Sequence, residues 1–557
     1  MKKMNEGNSA AQNMTQMSYF NEKSTQNPTD NGGLYAVPTQ AKPVKEDTEA
    51  TKRMKENFGF FGPVTFLYSL FYAFCMFKNG SGVTFPFFIA ASLLYLCFSL
   101  SKLGLTLKKG SGFYMTGMIL LSVSTFCTDD ARIIGFNKTG IFLLMMSLLL
   151  KQFYETSQWK LGKYLGSIFV MVFASVAEME RPFTDAARYA AQRGKGNKKA
   201  WYVVLGVVLA VPLLVIVIAL LASADAFFRQ MTDRLLSGFN PENIFEVIVR
   251  VMFLFFATYL LISCLCRHML TEQVKDHRHG EPVLAITITG LLSVIYVLFS
   301  GIQIWGLFLG KLQLPAGYTY AEYAREGFFQ LLAVSILNLV IVLVCMSFFK
   351  ESKVLKGVLT VMSLCTFVMI ASSAMRMILY IRYYDLTFLR ILVLWALALL
   401  FVLFWGVLAS IYRENFPLFR YSMVVVTVMY LVLSFSHPDF IIAYVNVGKA
   451  GNTGSVGNTG VIRAEDVYTD YWYLSSLNAD AAPVLIPYMR ELGYDMSAFD
   501  QGEYATGRTT DNSLRRGDIN GFGYYYLRNL KRATEGFGIR TYNISRHMAL
   551  LQIAEGK

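Results

Sequence analysis

Apolar residues along this chain come in long runs with few polar interruptions, not in the alternating or three-and-four spacings of half-buried elements. The runs fall near residues 58–77, 83–101, 112–128, 139–153, 201–224, 247–266, 283–308, 328–349, 355–375, 388–411 and 418–436. About 20 such residues cross about 30 Å of hydrocarbon as a helix, which closes its own backbone hydrogen bonds there. The pattern predicts an all-α fold: a polytopic transmembrane helical bundle of eleven spans over residues 57–437. A further segment, Tyr164–Phe183, is shorter and is followed by Arg188, Arg193, Lys195, Lys198 and Lys199. It reads as a helix lying in the cytoplasmic interface, which keeps those basic residues inside; if it crosses, the count becomes twelve.

The flanks have a different texture. Residues 1–56 are rich in Asn, Gln, Ser, Thr, Lys and Glu without an apolar period, and read as a disordered cytoplasmic tail. Residues 438–557 return to soluble composition, with a flexible "GNTGSVGNTG" linker at Gly451–Gly460 and then amphipathic segments. Asp480 stands where an N-cap for "AAPVLIPYMREL" is expected, and "YYYLRNLKRATEGFG" ends in glycine as helices often do. These features predict a small C-terminal helical domain outside the membrane.

Charge fixes the orientation. The net charge of +13 suggests nucleic acid until its placement is considered: Lys and Arg concentrate in alternate loops, as the positive-inside rule requires. The N-terminus is expected in the cytoplasm, residues 438–557 outside, and membrane lipid rather than nucleic acid as the partner. All seven cysteines lie in or at the ends of apolar runs, so they form neither a disulfide framework nor a zinc site. There is no Walker loop, dinucleotide fingerprint, zinc-protease helix or nucleophile elbow, so no catalytic residue, cofactor or metal is assigned. The histidines of "KDHRHG" (His277 and His279) read as a solvated loop.

The candidate chemistry lies at the expected outer edge. In "TYAEYAREGFFQLL" (Thr319–Leu332), Glu322, Glu326 and Gln330 share one helical face, and Arg325 pairs locally with Glu322. The same leaflet receives Asp225 and Arg229, Glu246 and Arg250, and Arg376, Arg382, Asp385 and Arg390. Apolar residues continue beyond Arg376, which therefore must snorkel or meet an acid, with Glu326 or Asp225 as the expected counterion. Asp225, Arg229, Glu322, Arg325, Glu326, Gln330, Arg376 and Arg390 form a charge cluster that reads either as paired helix-end anchors or as an outward-opening polar cavity. Asn338 extends that cavity or makes an interhelical hydrogen bond. Asp129 and Asp130 in "CTDDARI" read as helix-capping residues or as acids of a transferase site.

Four stretches carry a resemblance: "LLASADAFF" (Leu220–Phe228), "YAEYAREGFFQLL" (Tyr320–Leu332), "RMILYIRYYDLTFLRILVLW" (Arg376–Trp395), and "TYNISRHMALL" (Thr541–Leu551) with "DYWYLSSLNADAAPVL" (Asp470–Leu485). Together they resemble bacterial polytopic membrane proteins of a domain of unknown function, the 4173 type. The resemblance implies a bacterial cytoplasmic membrane, this helical architecture and the helical extracytoplasmic segment, and it transfers no activity or catalytic residue. The resulting expectation is a non-enzymatic transporter-like or envelope-sensing scaffold protein, with an envelope protein partner reached through residues 438–557. The alternative is a membrane transferase acting on a lipid-linked substrate at the outer face. No small-molecule ligand is named by these residues.

Overall fold

The computed structural model describes residues 47–156, 159, 161–192, 241–267, 280–309, 327–413, 416–454, 470–494, 519–536 and 538–555, with scattered residues between 206 and 225. The expected span at 201–224 lies largely outside them. Among the described residues there is no strand, only an isolated bridge between Gly280 and Phe349. Nine described helices are long and apolar enough to cross a membrane, or ten if one bent pair counts as a span. The chain is a multi-pass, all-helical membrane protein.

The helices are α1 (Glu49–Glu56), α2 (Phe58–Met76), α3 (Thr84–Leu103), α4 (Ser111–Cys127), α5 (Ala131–Phe153), α6 (Leu161–Val176), α7 (Arg181–Gln192), α8 (Pro241–Cys266) and α9 (Pro282–Gln303). After α9 a π-helical stretch runs over Ile304–Leu309. Then come α10 (Phe328–Phe348), α11 (Lys353–Tyr383), α12 (Phe388–Tyr412), α13 (Leu418–Phe435), α14 (Pro438–Gly454), α15 (Tyr471–Leu474), α16 (Ala482–Glu491), α17 (Ile519–Thr534) and α18 (Ile544–Ala554).

Several boundaries differ from the sequence pattern, each for a physical reason. Residues 49–56, expected within the disordered tail, form α1: Thr48 caps it by accepting from the Thr51 N–H, and Thr51 and Met54 are buried. Helix α5 starts at Ala131 rather than near 139, although Asn137 and Lys138 interrupt its apolar run. The buried Asn137 amide is satisfied, donating to Thr125 Oγ1 at 3.1 Å and accepting from Tyr430 OH and Ser434 Oγ at 2.7 Å each. Such bonds recur between membrane helices, where lipid competes weakly for polar groups: Thr65 with Tyr95 at 2.6 Å, and Trp395 Nε1 to the Met429 carbonyl at 2.8 Å.

Helix ends gather into two faces. At one, Thr48 Oγ1 donates to the Cys266 carbonyl, Lys108 N to Gln152 Oε1 at 3.1 Å, and Lys350 N to the Gly280 carbonyl at 3.1 Å. Lys108, Lys151, Arg267, Lys350, Lys356 and Arg420 all sit at these ends, so we call it the basic face. At the other, Arg250 reaches the Met76 carbonyl, and helices α14–α18 form a crown over the helix ends.

Helix α6 returns to the face it leaves. Its start is held where Tyr164 stacks on Phe419 with ring centroids 3.9 Å apart. Just beyond its end, Glu178 pairs with Arg267 at 2.6 Å, also at the basic face. A 56° bend separates Gly162–Val176 from Arg181–Tyr189. Glu178, fully buried at this bend, also meets Arg181 at 3.1 Å and accepts from Ser263 Oγ at 3.1 Å. Nearby, the buried Tyr259 hydroxyl donates to Asp185 at 2.9 Å.

Candidate functional site

The densest polar chemistry among the described residues lies beneath the crown, and it begins with a local capping motif. Helix α4 stops at Thr128, whose backbone is extended, and Asp130 then N-caps α5 by accepting from the Arg132 N–H at 2.9 Å. The Arg132 guanidinium folds back on Asp130 through Nε at 2.9 Å and Nη2 at 2.7 Å. Its Nη2 also donates to Asp439 Oδ1 at 2.5 Å, in the first turn of α14, while the guanidinium lies 3.9 Å above the Phe388 ring. Arginine suits this position because its planar fork serves two carboxylates and an aromatic face together.

Asp480 is the hub. Its carboxylate accepts from Thr128 Oγ1 at 2.5 Å, from the Asp129 N–H at 3.0 Å and from Ser545 Oγ, and lies 3.5 Å from His437 Nδ1. The expected N-cap role for Asp480 is corrected: Asn478 caps the 3-10 turn Ala479–Ala481 by accepting from the Asp480 N–H at 2.8 Å, and helix α16 begins at Ala482. Asp129 pairs with Arg546 Nε at 2.7 Å. Asn543 N-caps α18 and donates Nδ2 to the Ser81 and Thr128 carbonyls at 3.2 and 2.9 Å. His437, between α13 and α14, takes a left-handed backbone (φ 47°), a conformation rare outside glycine.

Four carboxylates thus face two arginines and one histidine, and burial and hydrogen bonding shift the titration of Asp439, Asp129, Asp480 and His437. Burial, opposed by Arg132, pushes the Asp439 carboxyl up to about 6, with Asp130 beside it adding repulsion. Burial likewise raises Asp129 despite Arg546. The hydrogen bond to Asp480 raises His437 against its burial. For Asp480, burial pulls upward, but hydrogen bonds from His437, Ser545, Thr128 and the Asp129 N–H outweigh it and hold the carboxyl below its usual range.

The sign of the pH dependence follows. Raised pKa values at Asp439, Asp129 and His437 mean that the docked crown binds protons more tightly than the open form. That stabilisation is complete below the free values and fades as pH rises through the raised ones. Asp480 acts oppositely, but only below the ordinary carboxylate range. The crown should therefore hold more tightly at pH 5 than at pH 8, with Asp439 alone contributing about 1.4 kcal/mol over that window. Hydrogen exchange of α16 and α18, corrected for intrinsic rates, measures this; faster corrected exchange at pH 5 would contradict it.

A family model matches residues 115–488, more than half of the chain. The chain belongs to the family described as domain of unknown function (DUF4153). The DUF4153 match runs from within α4 to within α16, so it contains Asp129, Asp130, Arg132, His437, Asp439 and Asp480 and stops short of Asn543, Ser545 and Arg546. No curated protein and no solved structure matches the chain.

The charge cluster expected from the sequence is only partly within view. Arg229, Glu322, Arg325 and Glu326 lie outside the described residues. Asp225 and Gln330 are exposed. Arg376 is half-buried in α11, its Nη2 at 3.4 Å from Gln303 Oε1, which also accepts from Ser372 Oγ at 2.7 Å. Its approach depends on Gly327, which opens α10 at φ 91°: a Cβ there would stand 2.8 Å from Arg376 Nη1. Arg390 does not join Arg376 but stacks over Tyr380 at 4.2 Å. Asn338 makes the interhelical bond, donating to Thr366 Oγ1 at 2.9 Å.

Proposed function

We propose that this DUF4153 protein is an envelope-sensing or scaffold protein of a bacterial cytoplasmic membrane. In this reading residues 438–557 lie outside the cell, receive an envelope partner, and pass their docking state through the spans to the cytoplasmic face. The clustering of Lys and Arg at the face opposite the crown supports that orientation. The likeness of the four quoted segments to the 4173-type group belongs to the same proposal.

The observation that carries the reading is the placement of Asp480. One buried carboxylate joins the α4–α5 loop, the α13–α14 junction and the start of α18, so a change in the crown reaches three membrane helices directly. Asp480→Asn keeps the shape and removes the charge. Exchange in α16 and α18 should rise about tenfold, consistent with weakening charged hydrogen bonds by about 1–3 kcal/mol. A relay requires α1 and α7, at the basic face, to exchange faster as well. Changes confined to the crown would overturn it.

A transport reading has its own support in the polar group of Gln303, Ser372 and Arg376 within the bundle. A single cysteine at Gln330 that reacts with impermeant thiol reagent from both sides would favour it; reaction from one side would remove it. The transferase reading is weakened because Asp129 and Asp130 are already held by Arg546 and Arg132.

A further inference from the structure

At the basic face a cavity of about 1280 Å³ opens among the ends of α4, α5, α6, α10, α11, α12 and α13. It exceeds the roughly 300–1,000 Å³ of sites built for small molecules. Its rim is cationic, with Lys108, Lys109, Lys151, Lys350, Lys356 and Arg420, and three of the six are engaged. Lys108 pairs with Glu155 at 2.8 Å, Lys356 with Glu351 at 2.8 Å, and Lys350 with Glu281 at 3.1 Å. Lys151 and Arg420 differ: among the described residues no carboxylate lies within ion-pair distance of either.

These two converge. A Cβ added to Gly110 would stand 2.8 Å from Lys151 Nζ and 3.8 Å from Arg420 Nη2, so both cations reach the same spot at the start of α4. Lys151 Nζ also lies 5.4 Å from the Tyr114 ring centroid, on the cavity wall. Like charges brought together without a counterion raise the free energy of the site, and an anion lowers it.

The wall below the rim is aromatic and aliphatic. Tyr164 stacks on Phe419, and Trp159 packs edge-on to Tyr164 at 5.7 Å. Trp159 is only 4% exposed, and among the described residues its Nε1 has no hydrogen-bond partner, an unusual state for a buried indole. Leu165, Val340 and Val344 line the cavity and are exposed on the surface of the bundle, so the cavity continues onto the apolar exterior.

We propose that this cavity binds an anionic lipid, with its phosphate at Lys151 and Arg420 and its chains along the Trp159–Tyr164–Phe419 wall out to Leu165 and Val344. Charge at the rim, an aromatic wall and an apolar exit match an amphiphile better than a soluble anion, and basic pockets between membrane helices bind phosphorylated headgroups. The site lies at the end of the bundle opposite the crown and does not depend on the sensing reading.

Quenching of tryptophan by brominated lipid tests it. Full-length protein in phosphatidylcholine nanodiscs is titrated with brominated phosphatidic acid, and the component lost in Trp159→Phe is followed. Saturable quenching of that component is expected, with half-saturation shifted roughly thirty-fold in the K151Q/R420Q double variant at about 1 kcal/mol per cation. The K151R/R420K variant keeps both charges and should retain binding, which separates charge from folding. Equal quenching in wild type and Trp159→Phe, equal quenching by brominated phosphatidylcholine, or an unchanged K151Q/R420Q variant would each overturn the proposal. Displacement by excess inorganic phosphate would overturn the lipid and reassign the site to a free phosphate.

Discussion

Arg132→Gln should loosen the crown by about 3 kcal/mol, and adding Asp439→Asn should recover a large part of that loss. The side chains of Asp130 and Asp439 are each only 2% exposed, and Arg132 is the cation between them. Removing one partner from a buried ion pair costs about 3–5 kcal/mol because the remaining charge keeps its desolvation penalty. The lower end applies because the Arg132 side chain is 39% exposed, so water screens part of the interaction. Asparagine at 439 removes one stranded charge and can still accept from the Asn478 N–H, now at 3.2 Å from Asp439 Oδ2. The double variant should therefore be more stable than Arg132→Gln alone, a coupling readable from thermal unfolding in detergent. Additive losses would show that Arg132 and Asp439 do not act as a pair.

Glu178→Gln should have a comparable effect at the opposite end. Glu178 is the buried acid on which Arg181, Arg267 and Ser263 converge, and it fixes the bend between α6 and α7 to the end of α8. Without its charge, Arg181 and Arg267 both lose the buried carboxylate on which they converge, and a loss of about 3 kcal/mol is expected. The effect should be largest locally: amides of α6, α7 and α1 exchange faster, while those of α16 and α18 lose less protection, by the amount the two ends are coupled. Equal loss of protection at both ends would mean that the bundle unfolds as one unit and that the bend has no separate stability.

Much of the membrane architecture was legible because apolar run length is a local property: the runs at 58–77, 83–101, 328–349 and 388–411 correspond closely to α2, α3, α10 and α12. What escaped was long-range. Asp130 and Asp129 were visible as an acidic pair, but their context depends on Arg132 reaching Asp439, 307 residues away, and on Arg546 reaching Asp129 across 417 residues. Asp480 misled because its spacing before an apolar segment is that of an N-cap, a role Asn478 fills two residues earlier. Arg376 was visible as a cation deep in an apolar run, yet Gln303, near the end of another run, carried no signal as its neighbour. Lys151 and Arg420 counted only toward orientation, since nothing local reveals that both approach Gly110.

The contact of the crown with the loop between α2 and α3 bears on how the chain is made. Val83 N donates to the Tyr542 carbonyl at 2.8 Å, Asn79 Nδ2 to the Arg540 carbonyl at 3.1 Å, and Arg540 to the Phe77 carbonyl at 2.5 Å. The residues that complete the first hairpin are thus synthesised 461 positions after Asn79. At about 5–20 residues per second, that loop waits for tens of seconds with its polar groups turned to water. A chain interrupted anywhere before Arg540 therefore leaves the loop between α2 and α3 without these partners, and the first hairpin is finished only once the crown has been made.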